Sequence, residues 1–132
     1  MFINKHINNS KIGNAGENIA CEYITRKGWR IIARNHRERS DEIDIIAIAS
    51  DGTLVFCEVK SLVLKSGPLE YGFMPEENLT SNKLRKISRA CRIFAGKHPE
   101  LIDDERGWRI DLIAIDMGSD AKGKNLRHYE NV

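Results

Sequence analysis

The chain has 132 residues and a mass of 15.0 kDa, enough for one domain with a single hydrophobic core. Hydrophobic residues make up 41% and charged residues 30%, an ordinary soluble balance; a membrane span and a signal peptide are not expected, because no apolar stretch approaches the required length. The formal charge of +2 is too small to argue for nucleic acid by itself.

From the N-terminus, residues 1–9 read as a flexible start and residues 11–27 as a helix. Ile12, Gly16, Ile19, Ala20, Tyr23 and Ile24 recur at helical spacing, with Ser10 able to cap the start and Gly28 to end it. Trp29 to Ala33 reads as a strand, followed by a polar basic segment from Arg34 to Arg39. Glu42 to Ala49 is apolar on both faces apart from its acids, the pattern of a central strand, and Thr53 to Lys60 is another. Residues 61–79 carry Gly67, Pro68, Gly72 and Pro75 and read as a long loop. Thr80 or Ser81 can cap a second helix with the core stripe Leu84, Ile87, Cys91 and Phe94, stopping near Gly96 and Pro99. After a polar connection, Trp108 to Asp116 forms a further strand, and a short one is expected near Leu126–Tyr129. The order α-β-β-β-α-β predicts a mixed sheet with helices against it, an α/β sandwich in a single domain.

Cys21, Cys57 and Cys91 are odd in number, widely spaced and set in apolar patterns. They suggest neither a zinc knuckle nor a disulfide framework, and point to a reducing, cytoplasmic setting.

Chemistry enters at the turn Ser50-Asp51-Gly52. A three-residue loop with Gly52 in the left-handed position is a common hairpin closure. It pairs Ala49 with Thr53, and counting back pairs Asp44 with Glu58 and Glu42 with Lys60. Opposed residues share a face with Cβ atoms roughly 5 Å apart, and Lys60 shares the face of Glu58. A loop one residue shorter would turn Asp44 away. Two carboxylates at that separation repel unless a cation lies between them. Magnesium suits such a pair, since it takes one or two carboxylates and leaves other positions to water and phosphate oxygens. Lys60 can stabilise an attacking hydroxide or the charge developing on phosphorus. Glu17, on the edge of the core-facing stripe of the first helix, can join them, whereas Glu22 points away. The plainer alternative is a salt bridge between Asp44 and Lys60 at a sheet end, with Glu58 solvated.

Lys83, Arg85, Lys86, Arg89 and Arg92 crowd into the second helix, with Arg85, Arg89 and Arg92 on one stripe. A charge run on a helix is ordinarily a solvated face. With Arg34, Arg37 and Arg39 added, the single sign also suits a phosphate-tracking surface. Trp29 and Trp108 read as core or sheet-end packing, the scattered histidines are assigned to no metal, and Asp111 reads as a buried partner of an arginine.

Taken together, Gly16-Glu17, Ala20, Gly28, Asn35-x-Arg37, Glu42-Ile43-Asp44, Phe56-x-Glu58-Val59-Lys60, Lys83, Ala90 and Arg109-Ile110-Asp111 resemble the YraN-like bacterial proteins. These are placed by similarity in the restriction endonuclease-like PD-(D/E)xK superfamily, beside archaeal Holliday-junction resolvases. The resemblance runs from Gly13 to about Asn131. It implies a restriction endonuclease-like core that cleaves DNA, branched or otherwise structured, with Mg²⁺ or Mn²⁺. Asp44 and Glu58 would hold the metal, Glu17 would be an auxiliary acid and Lys60 the catalytic lysine. Lys83 is expected on a phosphate, with Arg37, Arg85, Lys86 and Arg89 along the nucleic acid. Related resolvases work as dimers, so a homodimer is an expectation of the resemblance alone. Two departures stand out. Asp41 occupies the position of a usual Gly, which would set an extra acid beside the metal, and Leu62 that of a usual basic residue. A binding module of the same fold without turnover is the alternative function; a protein-interaction role for Leu69, Tyr71, Phe73 and Met74 in the 61–79 loop comes third.

Overall fold

The computed structural model describes residues 2–62, 79–117 and 125–132. In chain order they form α1 (Phe2–Arg26), β1 (Arg30–Glu38), β2 (Asp41–Ile48), β3 (Leu54–Leu62), α2 (Ser81–Lys97), a 3-10 turn (Pro99–Leu101), β4 (Trp108–Asp116) and β5 (Asn125–Tyr129). The strands make one five-stranded sheet in the order β1-β2-β3-β4-β5. Only the β3–β4 pair is parallel among them, and a parallel pair needs a crossover, which α2 supplies. The predicted mixed α/β sandwich holds.

The doubly apolar character of β2 and β3 follows from a helix on each side. Ile45, Ala47, Val55, Cys57, Ile113 and Ile115 pack with Ala20, Cys21 and Ile24 of α1. Ile46, Leu54, Phe56 and Ile110 pack with Ile87, Ala90, Cys91 and Phe94 of α2. The α2 stripe is the predicted one, and its start is as expected, with Thr80 Oγ1 accepting the Lys83 N–H at 3.2 Å. Trp29 is buried in the α1-side core, and Trp108 packs edge-to-face on Phe56 at 5.4 Å.

Three boundaries differ from the expectation. α1 begins at Phe2, so residues 2–9 are helical rather than a flexible start, and Ser10 lies within the helix instead of capping it. Its end is as predicted: Gly28 takes φ +88° and the Trp29 N–H bonds back to Ile24 O at 3.1 Å, a left-handed closure that favours glycine. β1 continues to Glu38, so the polar basic segment is strand. Its register partners Arg34↔Ile45, His36↔Ile43 and Arg37↔Glu42 show why. On an edge strand the ladder to an apolar neighbour sustains residues that local preference would leave in a loop. Finally, β3 reaches Leu62, two residues into the predicted 61–79 loop; residues 63–78, including Leu69, Tyr71, Phe73 and Met74, lie outside the described residues.

Candidate functional site

The turn between β2 and β3 closes as the sequence predicts. The Gly52 N–H donates to Ala49 O at 2.9 Å, the Ala49 N–H to Thr53 O at 2.8 Å, and Gly52 takes φ +93°. Asp51 Oδ1 holds the corner by accepting the Thr53 N–H at 3.0 Å and the Thr53 hydroxyl at 2.7 Å. The register then runs Ile48↔Leu54 to Ile45↔Cys57 as counted from the turn, and the ladder ends there, one residue short of Asp44 and Glu58.

At that point β2 departs from simple alternation. Ile45 packs on the α1 side, while Ile43 and Ile46 both pack on the α2 side. Opposite this break, Asn35 of β1 takes φ +50°, a left-handed conformation that Asn tolerates better than most residues. Asp44 sits at the slip. Its Oδ2 accepts the Val59 N–H at 2.8 Å, a side chain standing where a ladder carbonyl would otherwise serve. This differs from the prediction of one continuous face carrying Asp44, Glu58 and Lys60.

The Asp44 carboxyl reaches in two directions. It is hydrogen-bonded to Glu58, and its oxygen lies within 4.8 Å of those of Glu17 and Glu42, which are likewise within that distance of each other. Glu17 thus joins Asp44 as expected, its side chain 13% exposed. Gly16 explains the approach of α1. A Cβ there would lie 1.8 Å from Ser61 Oγ, so only glycine lets the helix come this close to β3. Glu22, by contrast, is exposed and pairs with Arg26 at 2.6 Å.

Glu42 is the member that the sequence argument missed. It was matched by register to Lys60, yet its ion-pair partner is Arg37 at 3.8 Å. The available signal was the Glu42-x-Asp44 spacing, which on a regular strand sets two carboxylates on one side.

Burial and mutual repulsion dominate the electrostatics. Desolvation pushes the Asp44 carboxyl up to about 6, with Glu17 and Glu42 adding to the effect against the opposing Val59 hydrogen bond. Desolvation and then the Asp44 charge push Glu58 up to about 8, despite Lys83 and Lys60 nearby. Two buried carboxyls joined by a hydrogen bond share a proton near neutral pH. Lys60 is held below its ordinary value, first by burial and then by the Lys83 ammonium. The hard oxygens of Glu17, Glu42 and Asp44, all within 4.8 Å of one another, are compatible with a divalent metal; Glu58, expected as a ligand with Asp44, stands outside that group of three.

Lys83 is not on the outer stripe. It is exposed and lines a pocket with Glu58, Lys60, Leu79 and Leu112, where its charge acts on Lys60. Arg85, Lys86 and Arg92 are exposed on α2, Arg85 hydrogen-bonding Asn82. Arg89 pairs with Asp41 at 3.1 Å. The atypical Asp41 therefore ties α2 to the start of β2 and stands outside the acidic cluster, contrary to the expectation of an extra acid beside the metal.

Away from this site, Asp111 is fully buried, as its pairing with an arginine anticipates. Arg109 donates to it at 2.9 and 3.3 Å, His128 Nε2 lies at 2.7 Å and the Asn131 N–H at 3.0 Å. Despite burial, these partners hold its carboxyl below the ordinary value. His128 in turn meets the Tyr23 hydroxyl at 3.0 Å through Nδ1.

Residues 16–115 match the uncharacterised protein family UPF0102. The chain belongs to this family. The matched span contains Glu17, Glu42, Asp44, Glu58, Lys60, Lys83 and Asp111. Family relatives include a protein of Persephonella marina, 40% identical over 121 residues (90% of each chain). A protein of Symbiobacterium thermophilum is 38% identical over 112 residues, 85% of this chain and 87% of its own. One of Chlorobium limicola is 45% identical over 105 residues, 79% of this chain and 74% of its own. Among solved structures, a repair endonuclease from Pyrococcus abyssi aligns over 78% of this chain and 36% of its own at 14% identity and a TM-score of 0.41. SfsA of Pyrococcus furiosus in complex with Ca²⁺ aligns over 85% and 58% at 21% identity and a TM-score of 0.37.

Proposed function

We propose that this protein is an endonuclease of the restriction endonuclease-like type, hydrolysing phosphodiester bonds in structured DNA with Mg²⁺ or Mn²⁺. The observation that carries the reading is the cluster of Glu17, Glu42 and Asp44, whose carboxylate oxygens lie within 4.8 Å of one another, with Glu58 beside Asp44 and Lys60 two residues beyond Glu58 on β3. Asp44 and Glu58 would hold the metal, with Glu17 and Glu42 as nearby oxygen donors. Such an ion supplies an activated water at neutral pH and neutralises charge on the phosphate oxygens. Asp44 is oriented by the Val59 N–H that it accepts at 2.8 Å, and Lys60 would meet negative charge as it builds on the phosphate. The three buried free cysteines agree with a reducing, cytoplasmic setting. No helix among the described residues is long and apolar enough to cross a membrane.

The test is cleavage of branched, flapped and linear DNA with Mg²⁺ or Mn²⁺ by wild type and Lys60→Ala. Loss of cleavage in the variant supports the mechanism; equal activity in both refutes it. The exposed basic side chains of α2 favour one second reading, a module that binds nucleic acid without turnover. That reading requires salt-sensitive binding that Lys86→Glu weakens and Glu58→Ala leaves intact, with no cleavage of any substrate.

A further inference from the structure

Two arginines of β1 end on the acid cluster. Arg34 Nη2 lies 3.8 Å from Glu17 Oε2, and Arg37 Nη2 lies 3.8 Å from Glu42 Oε2, its register partner across the ladder. Residues three apart on a regular strand point to opposite faces, so Arg34 and Arg37 would not both reach one group of acids. Between them Asn35 takes φ +50°, and alternation breaks there. Ala33 packs with the α2-side core, and His36 meets Phe94 of α2 edge-to-face at 5.0 Å on that same side. The break brings both guanidinium groups to carboxylates of one cluster.

The two contacts place charge beside the acids without closing on them. At 3.8 Å neither pair is a hydrogen bond, and the attraction is Coulombic. Arg34 makes its close contact elsewhere, donating from Nη2 to Asn18 Oδ1 at 2.8 Å, which seats the guanidinium next to Glu17. The side chains of Arg34 and Arg37 are 37% and 66% exposed, so each cation keeps a side open to solvent. Three carboxylates with oxygens within 4.8 Å of one another repel unless positive charge stands near them, and β1 supplies that charge from the chain itself. A divalent ion at the same oxygens would meet both guanidinium groups as like charges. A polyanion, by contrast, offers the arginines another partner.

We propose that Arg34 and Arg37 are resident counter-cations of the acid cluster and compete with the divalent ion for it, positioned by the left-handed Asn35. A bound nucleic acid draws the two guanidinium groups away from Glu17 and Glu42, so metal and nucleic acid each favour the binding of the other. This rests on the metal-dependent reading of the cluster. It also separates Arg34 and Arg37, which neutralise acids of the site, from Arg85, Lys86 and Arg92 on the exposed face of α2.

Mn²⁺ is titrated calorimetrically into the full-length protein, first alone and then with a short DNA duplex present. Without DNA, Arg34→Gln should bind Mn²⁺ about fivefold or more tightly than wild type. Arg37→Gln should gain less, because its pair is more exposed, and Arg34→Lys, which keeps the charge, should stay closer to wild type than Arg34→Gln. Arg30→Gln, exposed on the same strand, should leave the affinity unchanged. DNA should strengthen Mn²⁺ binding less in Arg34→Gln than in wild type. In EDTA, a double-mutant cycle of Arg34→Gln with Glu17→Gln, read by chemical denaturation, should be non-additive by about threefold or more in the unfolding equilibrium constant. The proposal is overturned by an additive cycle, by Mn²⁺ affinity in folded Arg34→Gln no higher than in wild type, or by an equal gain in Arg30→Gln. Tighter Mn²⁺ binding in Arg34→Gln with no cleavage of any DNA would sustain the counter-cations and sink the nuclease.

Discussion

Replacing Glu58 by glutamine should flatten the pH dependence of stability, and the size of the effect follows from the buried carboxyl pair. In the folded protein without metal, Glu58 keeps its proton to about pH 8, against an ordinary value of 4.5. Between those limits unfolding releases a proton, so rising pH favours the unfolded chain. The contribution is complete below about 4.5 and disappears as pH climbs through about 8. Each pH unit in that window removes about 1.4 kcal/mol, so moving from about pH 5 to about pH 7 costs roughly 2.7 kcal/mol. For a chain of this size that is a fall in Tm of roughly 10 °C. Asp44, raised to about 6, acts with the same sign at the acidic end. Glu58→Gln keeps the size of the side chain and its capacity to hydrogen-bond Asp44, but cannot ionise. Calorimetric melting of both proteins in EDTA across this range reports the Glu58 contribution together with its effect on the coupled Asp44 carboxyl, because the remaining groups titrate alike in both. Wild type should lose Tm steeply with pH relative to the variant. Parallel profiles would refute a protonated Glu58, and with it the account of the two carboxyls as a pair lacking a cation. Saturating Mg²⁺ should reverse the trend in wild type by stabilising the ionised pair, and should do so far less in Glu58→Gln.

Other outcomes follow from the same geometry. Asp111→Asn removes the buried charge that Arg109 and His128 contact and leaves Arg109 with Glu130 at 3.6 Å as its acid, so chemical denaturation should show a loss of about 1–3 kcal/mol, with β5 amides exchanging faster. Gly16→Ala forces a Cβ against Ser61 Oγ and should cost roughly 1–3 kcal/mol; adding Ser61→Gly should recover most of it, and a double variant no more stable than Gly16→Ala would place the strain elsewhere. In the salt dependence of DNA binding, Lys86→Gln should lower the slope by about 0.9. Arg89→Gln should lower it by less, because Arg89 is already committed to Asp41.

Much of this architecture was legible in the residues because it rests on short-range rules. Gly52 dictates a left-handed corner, and the corner dictates the register from Ile48↔Leu54 to Ile45↔Cys57. Apolar runs in β2 and β3 announced helices on both faces, and Thr80 with the Leu84, Ile87, Cys91, Phe94 spacing announced α2. What escaped was set by tertiary partners. Residues 34–38 are strand because β2 holds them there, and nothing local in Arg-Asn-His-Arg-Glu says so. The break in alternation at Asp44 coincides with the left-handed Asn35 of β1; it turns a one-face prediction into a carboxylate that also meets Glu17 and Glu42. Counting pairs Glu42 with Lys60, whereas the structure groups it with Asp44 and Glu17 and pairs it with Arg37. Asp41 was read as an added acid of the site because its partner, Arg89, is 48 residues away in the chain.

Calorimetric titration of Mn²⁺ into wild type and Asp44→Asn, with and without DNA, tests the central claim most directly. A metal-dependent nuclease built on Asp44 and Glu58 predicts binding to wild type, stronger with DNA present, and affinity at least tenfold weaker in Asp44→Asn. Absence of Mn²⁺ binding to wild type in the presence of DNA, or equal affinity in the two proteins, would contradict it.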